Sequence, residues 1–361
     1  MKTVTKAMAL VLALLCISAC AGCAANPGDE TGAPGKPGKE DYKVRPNEVS
    51  QLKITDYQDP DGRFSARIPE GWQVSASALA DMSFSIHIFK PETQGSPKYH
   101  VYLQMKLELM LSEKMKEFEK KMFGGFKQYA VVCDAPVNTD GTVAGLYRSF
   151  NDMVAYMNVY EEGYSDFSAP SIQEFEVIEE RAYNSLLKDN ALDDKIIRAT
   201  YQEADGTLLQ GLFTGTVTGT PLGAGTYSVY NINFISAPEA EFIQYEKLLS
   251  EVFSSISISE EWAEQIGKNT EGSYQSAREI GNSLQATTDE CNKAWEERNK
   301  TYDILSEKQS DATLGYERVQ NTENGEIYKA YSGFMDDYKG KRLVPITDDM
   351  YALPVDGYIE R

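Results

Sequence analysis

The chain has 361 residues, 35 basic against 55 acidic side chains, a formal charge of −20, 42% hydrophobic residues and 22 tyrosines. That is apolar and aromatic material enough for about two ordinary domains with buried cores, so a disordered chain is excluded. The acidic balance also excludes nucleic acid as a partner, which demands a basic face, and it argues against adsorption to anionic lipid, where basic clusters would be expected.

Residues 1–19 read as an export signal. Lys2 and Lys6 precede an uncharged run from Ala7 to Ala19. The run is shorter than the ~20 apolar residues a membrane span needs, and it has the length of a signal-peptide core. It closes in Ile17-Ser18-Ala19-Cys20, an aliphatic residue, two small residues and a cysteine, which resembles the lipobox of bacterial lipoproteins. That resemblance implies cleavage before Cys20, acylation of its thiol, and membrane lipid as the anchor at the outer face of the cytoplasmic membrane. Two or three acyl chains hold far better than one, because each buried CH₂ contributes about 0.8 kcal/mol. Ordinary signal cleavage between Ala21 and Ala25 is the alternative. Cys23 is a poorer acceptor, since Cys20 would then occupy the aliphatic position. Residues 20–50 are rich in Gly, Pro and charge beyond the cysteines, a composition that stays extended, and they read as a tether. The string GAPGKPGK within them lacks the closing Gly-Lys-Ser/Thr of a phosphate loop.

Residues 51–258 read as one domain. Asp59-Pro60-Asp61-Gly62 is a turn, followed by alternating apolar and polar residues from Phe64 to Ile68, as in a half-buried strand. Pro69 to Gly71 breaks the pattern and Trp72 restarts it. Further strands are expected at Met82 to Phe89, Tyr99 to Met105, Tyr129 to Cys133, Thr142 to Phe150, Met153 to Tyr160, Lys195 to Gln202, Leu208 to Thr218 and Tyr227 to Ile235. Residues 111–122 predict an amphipathic helix capped by Ser112, with Met115, Phe118 and Met122 on one face and Gly124-Gly125 as its stop. Residues 163–195 read as a long loop with a short helix. A closing helix over 238–255 carries a stripe of Phe242, Tyr245, Leu248, Leu249, Val252 and Phe253.

The strand F-S-A-R-I-P-E-G-W from Phe64 to Trp72, the antiparallel strands, and a last helix running into Phe253-Ser254-Ser255-Ile256 resemble the PsbP-like superfamily. Its members are small α+β sandwiches named for an extrinsic subunit of photosystem II. The resemblance covers residues 55–258 and implies an α+β antiparallel-sheet sandwich with an accessory or binding role. It transfers no functional residue.

Residues 259–310 predict a long helical segment with a thin apolar seam that includes Trp262, Ile266, Tyr274, Leu284, Cys291, Trp295 and Leu305. Such a seam suits packing on the first domain or pairing with a partner helix. Residues 311–361 predict a small β module. Its hairpin runs out from Leu314 to Val319, turns at Asn321 to Gly325, and returns through Glu326 to Ala330. Trp262, Trp295, Tyr316, Tyr328, Tyr338, Tyr351 and Tyr358 form a candidate interaction surface, since Tyr supplies contact area at low entropy cost. Use of the tyrosines as bulk in a core short of aliphatics is the other reading.

No GxSxG, HExxH, Walker loop or GxGxxG follows the pattern its chemistry needs. The only histidines are His87 and His100, and His87 falls on the polar side of its strand's alternation. Cys133 and Cys291 are left in the folded part as free thiols or as an interdomain disulfide. Asp59 to Gly62 opens like a calcium loop but lacks the closing glutamate. The sequence therefore predicts no cofactor and no metal. It predicts a non-enzymatic lipoprotein with a protein partner at the envelope. A ligand-, peptide- or glycan-binding lipoprotein and a hydrolase with an unfamiliar site remain the alternatives.

Overall fold

A computed structural model describes residues 42–361 except 48, 78–83, 162, 221–222, 260, 263–306, 309–310, 313–314 and 360–361. The signal segment, Cys20, Cys291, Trp295 and most of the expected helix over 259–310 lie outside the described residues.

The described chain is α+β with three sheets. In chain order its elements begin with β1 (Val44–Pro46), β2 (Ile54–Gln58), β3 (Phe64–Pro69), β4 (Gln73–Ala76), β5 (Ser85–Phe89) and β6 (His100–Leu111). Next come α1 (Glu113–Phe123), α2 (Ala130–Asp134), α3 (Val143–Arg148) and α4 (Phe150–Tyr160). Then follow β7 (Gln173–Ala182), β8 (Ala191–Gln202), β9 (Leu208–Gly219), β10 (Thr226–Pro238), α5 (Phe242–Ser254) and β11 (Ser257–Ile258). The chain ends with β12 (Tyr316–Asn321), β13 (Ile327–Tyr331), α6 (Phe334–Asp337), β14 (Leu343–Pro345) and β15 (Gly357–Ile359).

The seven-stranded sheet runs β4-β5-β6-β10-β9-β8-β7, and every pairing in it is antiparallel. Its centre is covered on both faces. Tyr102, Phe213 and Phe234 meet Tyr147 of α3 and Phe150 of α4 with ring centroids 4.8 to 5.7 Å apart. On the other face α5 buries Phe242, Tyr245, Leu249, Val252 and Phe253, the stripe read in the sequence. The three-stranded sheet β11-β3-β2 lies beside α5 and adds Phe64, Ala66 and Ile68 to the same core. Gly215 lets α3 come down onto β9: a Cβ there would stand 2.9 Å from Val143 Cγ1.

Several sequence expectations need correction. Between 129 and 160 the chain forms the helices α2, α3 and α4 where three strands were expected. Their β-branched and aromatic residues suit a strand locally, but Phe150, Met153 and Met157 are spaced to bury one helical face against the sheet. Residues 163–195 contain β7, a ten-residue edge strand whose glutamates face outward and keep the edge from pairing further. The tether expected to reach residue 50 yields to a strand at Val44–Pro46, which pairs with β15 more than three hundred residues away. Three residues carry no periodicity, so only the distant partner reveals that strand.

The third sheet has the order β1-β15-β13-β12-β14. Its β12–β13 hairpin turns at Gly325, whose φ of 81° a side chain would resist. The β13–β15 pair is parallel, the rest antiparallel. Gln244 of α5 ties this sheet to the body. Its amide oxygen accepts from the Asn47 side chain and, at 3.2 Å, from Val355 N.

Candidate functional site

One face of the C-terminal sheet is apolar. Val319, Tyr328, Ala330, Leu343 and Ile359 are buried there beneath Phe334 of α6. Tyr328 is 4% exposed and is therefore a core residue, a correction to its expected place on an open face. Tyr338 stacks on Phe334 with centroids 5.3 Å apart and closes the rim of this core with Tyr42. Trp262 is half-buried, with its ring centroid 4.5 Å from that of Phe84, so it belongs to the edge of the body core. Tyr316 (39% exposed), Tyr351 and Tyr358 keep part of their rings at the surface. Arg45 stands 5.2 Å over the Tyr358 ring, and Lys308 stands 5.3 Å over that of Tyr351.

The other face holds a charge cluster that sequence reading missed. Arg318 has a fully buried side chain. It donates to Asp311 Oδ2 at 2.6 Å, to the Tyr351 carbonyl at 2.8 Å and to Glu307. Lys329 reaches Asp311 Oδ1 at 2.7 Å. The cross-strand pairing of Arg318 with Lys329 sets two like charges side by side, and Asp311 between them makes that tolerable. An arginine alternating with Tyr316 and Gln320 along a strand reads as a solvated face, and only the segment over it shows otherwise.

The second constellation is the pair of histidines. His87 on β5 and His100 on β6 are diagonal neighbours on the sheet face that Tyr102 shares. The sequence placed His87 on a polar face, but Tyr164, Phe167 and Ser168 cover that face and both rings are essentially sealed. Their planes lie 15° from parallel with centroids 5.2 Å apart. His87 Nδ1 meets the Ser168 carbonyl at 2.5 Å, so that nitrogen carries the proton. His87 Nε2 must then accept, and the hydrogen between the rings, across 3.0 Å, sits on His100 Nδ1. His100 Nε2 is left with a lone pair facing Glu203 Oε1 at 3.5 Å.

Burial pushes His87 down to about 4, and it pushes His100 well below the ordinary histidine range, with the charge of His87 adding to the effect. Burial pushes Glu203 up, against the backbone N–H groups of Ala204 and Ser171 that favour its charged form. The shifts agree with the geometry: two neutral imidazoles in file, ending beside a carboxyl whose titration burial raises. The arrangement holds two neutral imidazoles inside the wall of the sheet, with His100 Nε2 short of a hydrogen-bond partner. Among the described residues no three His, Cys, Asp or Glu side chains converge as a metal site.

Asp59 is committed as well. Its carboxylate accepts from Arg63 Nε at 2.7 Å and from the N–H groups of Asp61 and Arg63, which makes the turn an Arg-locked loop. Cys133 is buried with its thiol toward the Glu119 carbonyl. A void of about 10 Å³ between α5 and the sheet, lined by Leu212, Asn233, Phe234, Ile235, Ser250 and Phe253, has room for one water at most.

No protein-family model matches the chain, and no curated protein matches it as a relative. Among solved structures the chain is similar to the solution structure of cyanobacterial PsbP (CyanoP) from Synechocystis sp. PCC 6803. The identity is 13% and the TM-score 0.23, over 59% of this chain and 96% of that one. The α+β, antiparallel description rests on the strand pairings given above.

Proposed function

We propose that the chain is an exported lipoprotein, held by acylated Cys20 at the outer face of the cytoplasmic membrane. In this reading its PsbP-like α+β body is a non-enzymatic accessory that binds a protein partner at the cell envelope. The partner reading is carried by the C-terminal sheet, where Tyr316, Tyr351 and Tyr358 keep ring area at the surface and the last two sit beneath a cation. Rigid, amphipathic side chains with two rotatable bonds are economical contact residues. The export reading has separate support in the Lys2-to-Cys20 pattern. The non-enzymatic reading draws support from the burial of both histidines, which keeps the side chains most used for proton transfer away from solute.

The test is crosslinking and recovery from native membranes with the full lipoprotein beside Tyr316→Ala/Tyr358→Ala. One partner recovered by the parent and reduced roughly tenfold by the variant is the expected result, in line with loss of two contact residues. Equal recovery by both chains, or no specific partner with either, sinks the partner reading and turns attention to ligands. Deleting the C-terminal residues instead would leave β1 without its partner β15, and would confound folding with binding. Detergent-phase partitioning of the chain and of Cys20→Ser checks the anchor separately: the variant is expected in the aqueous phase.

A further inference from the structure

Among the described residues a run of exposed apolar side chains lies on the body, not on the C-terminal sheet. Phe118, Met122, Phe126, Tyr129 and Val131 are between 39% and 55% exposed and fall within fourteen residues of one another. The helical reading of α1 holds, and Ser112 caps it by accepting from Met115 N at 3.3 Å. Its apolar face is only partly covered, however: α1 has no buried residue, and Phe118 and Met122 are each 51% exposed. The helix is seated by the first residue of that face and by the lysine beside it. Met115 touches the core, and Lys116 Nζ closes onto the carbonyls of Asp134 and Ala135, the latter at 2.5 Å. Beyond Gly124-Gly125, Phe126 packs edge-on to Tyr129 and Phe123 lies 4.8 Å from it, so the aromatic cluster continues past the helix.

The segment that carries this patch has a net charge opposite to that of the chain. Residues 113–131 carry Lys114, Lys116, Lys120, Lys121 and Lys127 against Glu113, Glu117 and Glu119, in a protein whose formal charge is −20. Helical spacing puts Lys114, Phe118, Lys121 and Met122 on one strip, and the three glutamates fall outside it. A protein partner is a poor match, because the centres of protein interfaces are depleted in lysine. An anionic bilayer is a good one. Half-exposed Phe, Met and Tyr enter the boundary between headgroups and acyl chains, and lysines beside them meet the headgroups. The overall negative charge opposes approach only over about a Debye length, near 8 Å at physiological salt, and side chains at contact lie inside that range.

We infer that the surface formed by Phe118, Met122, Phe126 and Tyr129, with Lys114 and Lys121 at its edge, docks on an anionic lipid surface. The inference rests on the reading that places the chain at a membrane. In that setting the tether makes docking intramolecular.

The test uses the mature chain from residue 20 with Cys20→Ser, so that no acyl chain contributes. It is sedimented with phosphatidylglycerol vesicles and, separately, with phosphatidylcholine vesicles at physiological salt. Binding is expected to the anionic vesicles and not to the neutral ones. Phe118→Ser/Met122→Ser/Phe126→Ser should lower the bound-to-free ratio roughly tenfold with an unchanged melting temperature. These side chains lie outside the core, and Lys114→Glu/Lys121→Glu, which touches no apolar contact, should lower it as well. Absence of binding to anionic vesicles overturns the inference, as does equal binding by both variants. If the parent fails to bind and the serine variant instead raises protease cleavage within residues 263–306, the patch is covered by the chain's own segment and the inference is wrong. Failure of the anchor reading shows elsewhere, as a native chain that stays out of the detergent phase.

Discussion

The seven-stranded sheet and the C-terminal sheet solve the same problem with different material. The first is held by a lattice of rings, with Tyr102, Tyr147, Phe150, Phe213 and Phe234 in mutual contact and helices over both faces. The second has an apolar core of six buried side chains on one face and the Arg318 charge cluster on the other. A small sheet cannot bury enough hydrocarbon to specify its register. A buried arginine needs its partners in fixed places, and it supplies specificity more than net stability. The lesson is that a short apolar inventory can be offset by polar order, but at the risk of one essential residue.

Removing that residue should have the largest effect. Arg318→Met leaves Asp311 and Glu307 without their principal partner, and loss of one member of a buried ion pair costs about 3–5 kcal/mol. Hydrogen exchange should show the loss in residues 316–331 while amides of 208–238 keep their protection. Uniform loss across both sheets would break the comparison, since the two would then unfold as one. Replacing Arg318, Asp311, Lys329 and Glu307 together by apolar residues of similar size should cost less than the single change, because no charge of the cluster is left stranded.

The body's own polar device gives the next effect. His87 is an ordinary histidine near 6.5 when unfolded and about 4 when folded. Between those values the unfolded chain binds the extra proton, so stability is full above 6.5 and is lost as pH falls toward 4. The shift corresponds to roughly 3 kcal/mol at about 1.4 kcal/mol per unit. His100 acts in the same direction. Glu203 acts in the opposite one: its raised folded value means the native state holds a proton that the unfolded state releases, so its contribution fades as pH rises through that value. Denaturant unfolding between pH 7 and pH 4 should therefore show an acid loss that shrinks in His87→Gln and steepens in Glu203→Gln. An identical pH dependence in all three chains would mean that the histidine file does not govern acid stability.

Long elements with strong periodicity were legible in the sequence. The stripe of α5, the paired strands β8, β9 and β10, and the β12–β13 hairpin follow from spacing alone. The segment 129–160 was not, because Val131, Val132, Tyr147 and Val154 favour strands locally while the sheet beneath asks for helices. His87 was misplaced for a related reason: alternation names two faces but cannot say that both are covered. Arg318 and β1 depend on partners distant in the chain, which no local pattern encodes. Of the seven aromatic positions named from sequence, Trp262 and Tyr328 serve the cores, Tyr338 closes a rim, and Tyr316, Tyr351 and Tyr358 retain surface. Trp295 lies outside the described residues.

The smallest expected effect separates α1 from both sheets. Ser112 does two jobs at the junction of β6 and α1: its hydroxyl caps the helix, and its N–H donates to the Gly225 carbonyl at 2.7 Å in the turn before β10. Ser112→Ala removes only the first, worth about 1 kcal/mol of helix stability. Because α1 buries no residue completely, that loss should stay local. Faster exchange is expected over residues 113–123 with little change in the melting temperature of the whole chain. If the melting temperature falls in step with the exchange rates, α1 is part of the body's cooperative unit. The apolar strip of Phe118 and Met122 would then be presented by a rigid wall of the fold and not by a helix free to adjust to what it meets.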